Sequence, residues 1–250
     1  MPSSAIAPSA ATAAARSGTP GSLLARLLPF LPYVLVSVFH VTLLTFEPSH
    51  ALAGPTKLLL MPLLVVAVLW ASASLRPWPW PVVAGLVFAV LMSWFGDGAG
   101  TFFPSLPELP MMLLCFGIAH LAYMWLFWRA PALLRRRRLP LWASLYGAWW
   151  IMLVLIIGPS TGSLLVPVMI YGVVLGGTAA LSSRCSPVIA WGGFWFLVSD
   201  TILAFRIFMT DLLPTWAGGA VMLTYCLGQG LIGFGIVQAL RTRRLASSES

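Results

Sequence analysis

The stretch "TKLLLMPLLVVAVLWASAS", residues 56 to 74, carries a single charge and is otherwise almost entirely apolar. A helix of about 20 such residues crosses the roughly 30 Å hydrocarbon core of a bilayer. Similar runs recur along the chain, separated by short segments rich in turn-forming residues. They predict an all-α polytopic membrane protein, a bundle of eight transmembrane helices at residues 27–45, 56–74, 80–96, 109–129, 140–157, 163–182, 187–209 and 214–240.

The composition agrees with this class of protein. Of the 250 residues, 60% are hydrophobic and 8% are charged, and the mean hydropathy is +0.95, which excludes an ordinary soluble domain. The net charge of +8 does not indicate nucleic-acid binding, because no polar face exists to carry a basic patch. We predict a disordered tail at 1–22, one transmembrane catalytic domain at 23–245 and a C-terminal tail at 246–250.

The arginines predict the orientation of the helices. With a cytoplasmic N-terminus, twelve of the fourteen basic residues fall on the inner side, including "RRRR" at 135–138. The C-terminus is then cytoplasmic too. The arginine run has two interpretations, a determinant of topology or a site for anionic lipid headgroups. Thirteen of the fourteen basic residues are arginine, which is typical of GC-rich bacterial genes, so we expect a bacterial plasma membrane protein.

The first apolar run has a second interpretation. Arg26, the run itself and "ALAG" (51–54) also resemble a cleavable signal peptide. The run is long for that purpose and contains Pro29 and Pro32, which favours a retained helix.

Asp97 and Lys57 each stand at the unfavourable end of a predicted helix. Asp97 ends the third helix, in "SWFGDGAG" (93–100), and Lys57 begins the second. The helix dipole disfavours these charges there by about 0.3–1 kcal/mol each. Either the two face each other or a charged ligand, or both are solvated charges at the outer interface.

Asp200 lies deeper in the predicted membrane. It is 13 residues into the seventh helix, about 20 Å from the inner face and about 10 Å below the outer one. A carboxylate at that depth costs a few kcal/mol unless it is paired, hydrated or protonated, and usually marks function. The alternative is a structural, hydrogen-bonded acid. Arg206 lies on a different face of this helix, so we expect it to reach the interface instead of pairing with Asp200.

Other polar side chains of the apolar runs are His120, Tyr123, Tyr171, Tyr225 and Gln229. The first two share a helix face, as do the last two, because they are three and four residues apart. Taken singly, each fits an interhelical hydrogen bond. Taken together, they describe a polar pocket that opens toward the outer leaflet.

These residue types suit proton transfer better than other hydrolytic chemistry. A buried carboxyl can stay protonated as a general acid, while a second one paired with a cation stays ionised. The histidines form no HExxH motif, Ser199 has no histidine at helical spacing, and Cys115, Cys185 and Cys226 form no CxxC pair. We therefore expect no metal and no other cofactor.

Short motifs occur in a fixed order on the predicted helices: "KLLLMPLL" (57–64), "SWFGD" (93–97), "FGIAHLAYMW" (116–125), "GGFWFLVSD" (192–200) and "YCLGQGLI" (225–232). Together with Tyr171 they resemble the YhhN-like lysoplasmalogenase family over the second to eighth helices. The family's lysine, aspartate after glycine, histidine and serine–aspartate pair fall on Lys57, Asp97, His120, Ser199 and Asp200. Where the family has apolar residues after the aspartate, this chain has "GAG" (98–100).

The resemblance implies hydrolysis of the vinyl ether bond of a lysoplasmalogen, giving a fatty aldehyde and glycerophosphocholine or glycerophosphoethanolamine. Protonation of the β-carbon gives an oxocarbenium ion, to which water adds. The expected catalytic residues are Asp200 as general acid, Asp97 as stabilising anion and His120 as proton relay; the reverse assignment of the aspartates stays open. The expected substrate-binding residues are Lys57, Tyr123, Tyr171, Ser199, Tyr225 and Gln229.

The expected partners are thus a lysophospholipid substrate and membrane lipids, without nucleic acid. A proton-coupled transporter is the alternative function, since buried acids and a lysine are natural there too. The helices lack matched pairs interrupted by glycine and proline, which argues against it. No helix presents a clear dimerisation face, so the oligomeric state is undetermined.

Overall fold

The computed structural model describes residues 23–248, so the predicted disordered tail at 1–22 lies outside the described residues. Within the described range, eight helices are long and apolar enough to cross a membrane, and no strand occurs. The fold class predicted from the sequence is therefore confirmed. The helices are α1 (Leu24–Phe46), α2 (Ala53–Ser72), α3 (Trp80–Asp97), α4 (Glu108–Arg129), α5 (Leu141–Ser160), α6 (Gly162–Ser182), α7 (Pro187–Phe208) and α8 (Ala217–Ser248).

The largest difference from the predicted helix boundaries is at α8. It begins after Pro214 and continues to Ser248, into the segment predicted as a C-terminal tail. Three arginines near its end reach neighbouring backbone: Arg241 donates to the carbonyl of Ala71 at 2.6 Å, Arg243 to that of Leu134 at 3.2 Å and Arg244 to that of Ser74 at 3.3 Å. These contacts hold the final turns of α8 against α2 and the loop after α4.

Helix α8 is the centre of the bundle. In its most apolar window 67% of the residues are buried, against 17% in α5, which lies at the periphery. α8 packs against α7, α1 and α2, while α3 pairs with α4, and α4 with α6. A hydrogen bond also joins α1 to α8, since the Tyr33 hydroxyl donates to the carbonyl of Cys226 at 2.8 Å. Polar side chains of α8 can therefore meet residues from several helices.

Glycines set the closest approach of α7 and α8. A Cβ atom on Gly228 would stand 2.8 Å from the backbone nitrogen of Phe196, and one on Gly192 would stand 2.8 Å from that of Ile232. Both obstacles are backbone atoms, which cannot move aside as a side-chain tip can. Lipid tails are as apolar as these side chains, so such close packing is a main source of helix association in a membrane.

We expect Gly228→Ala to lower the melting temperature in detergent, because the added methyl group forces α7 and α8 apart. Overpacking of this kind costs about 1–3 kcal/mol. Gly117→Ala is the matched control, since a Cβ atom at Gly117 meets nothing within 4 Å. Equal melting temperatures for the two variants would contradict the proposed tight crossing.

Candidate active site

A cavity of about 300 Å³ opens at the end of the bundle opposite the arginine-rich loops. Side chains from α1, α2, α3, α4, α7 and α8 line it. Four of its lining residues are charged types, Lys57, Asp97, Asp200 and Arg206. In volume it matches the lower range of small-molecule sites, and its lining combines apolar walls with a few polar groups, as such sites do.

Lys57, Asp97 and Tyr225 form the first polar cluster of the cavity. The Lys57 Nζ atom lies 3.7 Å from Asp97 Oδ1, and the Tyr225 hydroxyl donates to Asp97 Oδ2 at 2.7 Å. The Asp97 side chain is only 5% exposed. The two charges that stand at unfavourable helix ends therefore face each other, and both oxygens of the Asp97 carboxylate have a partner.

Neighbouring contacts fix this cluster between α2 and α3. The Trp94 indole donates to the carbonyl of Leu58 at 2.8 Å, one residue from Lys57. Gly96 precedes the aspartate because a Cβ atom there would stand 2.6 Å from the ring of Phe116. The missing side chain lets Phe116 of α4 pack over the end of α3, where it meets the Tyr225 ring with centroids 5.9 Å apart.

Asp200 is the centre of a second cluster. The Tyr171 hydroxyl donates a short hydrogen bond to Asp200 Oδ2, and His120 Nε2 lies 3.7 Å from the same oxygen. Tyr171 and His120 also meet each other, at 3.3 Å between hydroxyl and Nε2. Within the described chain, Asp200 Oδ1 accepts no hydrogen bond, although the residue lines the cavity. Tyr171 thus fixes Oδ2 of this carboxyl group, and Oδ1 is left without a hydrogen-bond donor among the described residues.

An aromatic residue separates the two clusters. Phe196 packs on the His120 ring at 4.6 Å and on the Tyr225 ring at 5.4 Å between centroids. It is fully buried and lies one turn before Asp200 on α7. The Phe196 ring thus separates the two acidic clusters in the core, while Asp97 and Asp200 both line the cavity.

Three predicted substrate-binding residues, Tyr123, Tyr171 and Gln229, do not line the cavity, and Tyr171 lines an adjoining apolar cleft instead. The Tyr123 hydroxyl donates to Gln229 Oε1 at 2.5 Å, and Gln229 Nε2 donates to the Ser93 hydroxyl at 2.9 Å. The side chains of Tyr123, Gln229 and Ser93 are completely buried. The expected polar pocket thus divides into an open cavity and a sealed network that links α3, α4 and α8. Ser199 does line the cavity, but its hydroxyl donates to the carbonyl of Val221 at 3.0 Å.

Two polar residues of the cavity lining, Arg206 and His40, were not predicted from the sequence. The Arg206 guanidinium lies next to Gly218 at the start of α8. His40 Nδ1 lies 2.8 Å from the Thr56 hydroxyl, which itself donates to the carbonyl of Leu52, so Nδ1 carries the proton. The other nitrogen, Nε2, has no partner in the described structure. The argument used for Asp200, that an ionisable side chain deep in a transmembrane helix usually marks function, applies to His40 as well.

The arrangement can supply two different carboxyl groups to one bound molecule. A cation and a hydroxyl donor lie at the two oxygens of Asp97, contacts that favour its ionised form. Asp200 has a donor at Oδ2 and, among the described residues, none at Oδ1. Two carboxyl groups with unlike surroundings on one cavity are what general acid catalysis beside an anion requires.

We expect Lys57→Met to destabilise the protein, because it leaves the buried Asp97 carboxylate without its cation. The double variant Lys57→Met/Asp97→Asn removes both charges and should melt at a higher temperature than the single Lys57 variant. Thermal unfolding in detergent measures this coupling. If the loss in the double variant equals the sum of the losses from the two single substitutions, the ion pair contributes nothing to folding.

The chain was compared with known proteins. The model of the YhhN family matches residues 52–236, which begins after α1 and ends within α8. No curated protein matches, and no solved structure matches. The family match covers most of the chain and contains every predicted site residue, so this protein belongs to the YhhN family.

Proposed function

We propose that this protein is a membrane-embedded hydrolase that cleaves the vinyl ether bond of lysoplasmalogens. The products are a fatty aldehyde and glycerophosphocholine or glycerophosphoethanolamine. The observation that carries the proposal is the pair of unlike carboxyl groups on one cavity, Asp97 with both oxygens satisfied and Asp200 with one oxygen free. Membership of the YhhN family supports the proposal.

The reaction begins with proton transfer from Asp200 Oδ1 to the β-carbon of the vinyl ether. The resulting oxocarbenium ion carries its positive charge on the α-carbon and the ether oxygen, and the Asp97 anion stabilises it. Water adds to the α-carbon and gives one proton to Asp97, which leaves a hemiacetal. As the hemiacetal collapses, Asp97 returns that proton to the glycerol oxygen, and the hemiacetal hydroxyl proton restores Asp200.

Tyr171 and His120 assist the acid from the side of its Oδ2 atom. The Tyr171 hydroxyl donates to Asp200 Oδ2, where negative charge grows as the proton leaves Oδ1, and His120 Nε2 lies 3.3 Å from that hydroxyl. A hydrogen bond to a charged group contributes about 1.5–3 kcal/mol. His120 is completely buried and is a positioning group that acts through Tyr171, whereas Tyr171 also lines the apolar cleft beside the cavity.

The cavity offers separate places for the two ends of a lysophospholipid. Lys57 and Arg206 supply positive charge for the phosphate. An apolar cleft between α4, α5, α6 and α7 adjoins the cavity and shares Met112, Asp200 and Leu203 with it. The first carbons of the hydrocarbon chain enter this cleft, which brings the vinyl ether between head and chain to Asp200.

The proposed setting is the plasma membrane of a bacterium, with both termini cytoplasmic. The arginine distribution supports this orientation, because the arginine-rich ends of the helices are then on the inner side. The cavity with Asp97 and Asp200 opens toward the outer leaflet.

We expect the purified protein in detergent micelles to release aldehyde from a lysoplasmalogen but none from the saturated alkyl-ether analogue, which cannot form the oxocarbenium ion by protonation. Asp200→Asn removes the transferable proton while keeping the size of the side chain, so release should fall by about 10²–10⁴-fold. A coupled aldehyde dehydrogenase assay follows the product.

Phe205→Ala provides a control on the same helix, because Phe205 is not part of the cavity lining. It should retain aldehyde release per folded molecule. If the wild-type protein binds the lipid but releases no aldehyde, the hydrolase proposal fails. Accumulation of substrate inside proteoliposomes without chemical change would then favour the transporter.

The site of protonation gives a second, independent expectation. In D₂O, the released aldehyde should carry one deuterium on the carbon next to the carbonyl, because Asp200 exchanges with solvent and delivers its proton there. Mass spectrometry of the trapped aldehyde measures the label, and preformed aldehyde incubated with Asp200→Asn protein corrects for exchange. Unlabelled product would exclude acid catalysis at the β-carbon.

A further inference from the structure

A second cavity, of about 360 Å³, lies at the arginine-rich end of the bundle. The loop between α4 and α5, the first turns of α5 and α7, and the end of α6 form its walls. None of its lining residues belongs to the candidate active site, which is at the other end of the same helices. Arg135 and Arg136 from the "RRRR" run stand on its wall.

The loop that carries these arginines has a fixed structure. The backbone N–H groups of Arg135 and Arg136 donate to the carbonyl of Arg184 at 2.9 and 3.0 Å, and Arg184 Nη2 donates back to the carbonyl of Arg137 at 2.8 Å. The Arg184 guanidinium also lies over the Trp128 ring, 5.0 Å from its centroid. Arg184 is thus used inside the protein, and it holds the arginine run against the turn between α6 and α7.

Among residues 23–248, no acidic side chain pairs with Arg135 or Arg136. Both side chains are exposed, and neither has an ion-pair partner among the described residues. The acidic residues of the described chain lie toward the opposite end of the bundle from the arginine-rich loops. They are Glu47, Asp97, Glu108, Asp200 and Asp211. An anion that enters this cavity therefore meets two free guanidinium groups, which bind phosphate through paired hydrogen bonds.

The rest of the cavity is aromatic and apolar. Trp142 of α5 and Trp191 of α7 line it and are about half exposed, and Phe194 extends the same surface one turn further along α7. Such a surface at the membrane interface fits the upper part of an acyl chain and its glycerol linkage. A small hydrophilic anion would leave this part of the cavity uncovered.

We propose that this cavity binds an anionic membrane phospholipid, such as phosphatidylglycerol, from the leaflet at the arginine-rich end. The phosphate lies on Arg135 and Arg136, and an acyl chain lies against Trp191 and Phe194. The site is separate from the proposed hydrolase site and does not depend on it. A zwitterionic lipid is disfavoured, because its ammonium group would approach a run of four arginines.

The test is binding of dioctanoyl phosphatidylglycerol to the full-length protein in neutral detergent, with dioctanoyl phosphatidylcholine as the comparison lipid. Native mass spectrometry counts bound lipids and gives the dissociation constant. Arg135→Gln/Arg136→Gln should weaken phosphatidylglycerol binding by about thirtyfold, the loss expected for two phosphate-binding arginines. Phosphatidylcholine should bind more weakly than phosphatidylglycerol to the wild type, and the substitution should change its binding little.

Arg137→Gln/Arg138→Gln is the matched control, because it removes the same charge from the same loop but neither residue lines the cavity. It should leave binding within a few-fold of wild type. Equal losses in the two double variants would mean that the run attracts anions without a defined site, which overturns the proposal. Both variants keep the backbone donors of the loop, so each should melt near the wild-type temperature.

A third comparison tests the lipid assignment itself. Glycerol 3-phosphate carries the phosphate without an acyl chain and should bind far more weakly than the dioctanoyl lipid. Trp191→Ala should weaken binding of the lipid and leave that of glycerol 3-phosphate unchanged. If glycerol 3-phosphate binds as tightly as the lipid, the cavity is a site for soluble phosphates and the membrane-lipid proposal is wrong.

Discussion

A carboxyl group inside a bundle of apolar helices needs donors from other helices, because no bulk water surrounds it. Asp97 on α3 obtains them from Lys57 on α2 and Tyr225 on α8. Asp200 on α7 accepts from Tyr171 on α6, and His120 on α4 lies 3.3 Å from the Tyr171 hydroxyl. The needs of two acidic side chains thus determine which faces of six helices must meet. Removing either set of donors would leave several kcal/mol of unfavourable burial.

Apolar packing alone could not specify this arrangement. In a bilayer the lipid tails compete for the same surfaces, so helices are selected by close fit and by polar contacts. The structure uses both means side by side. Gly192 and Gly228 bring α7 and α8 into backbone contact, and the buried hydrogen bonds of Gln229 join α8 to α3 and α4. Helix α8 takes part in each of these contacts, which accounts for its central place in the bundle.

The sequence predicted the helices well and the site in part, for physical reasons. Bilayer thickness fixes the length of an apolar run, and a charge within such a run is conspicuous, so the eight helices and the deep Asp200 could be found. The rotation of each helix about its own axis could not, because hydrophobic residues surround most of these helices on all sides. Rotation decides that Tyr123 and Gln229 face a sealed network and that His40 faces the cavity. That Arg206 lines the cavity depends on the direction of a long side chain, which sequence spacing does not determine.

Helix α1 lies outside the stretch that matches the family, and yet His40 and Leu44 form part of the cavity wall. The acids, their donors and the apolar cleft all come from later helices. The cavity wall therefore has two parts of different origin: the acids and their donors lie within the family match, and a smaller part from α1 precedes it. A change in α1 alone can alter the shape of the cavity while both acidic clusters stay the same.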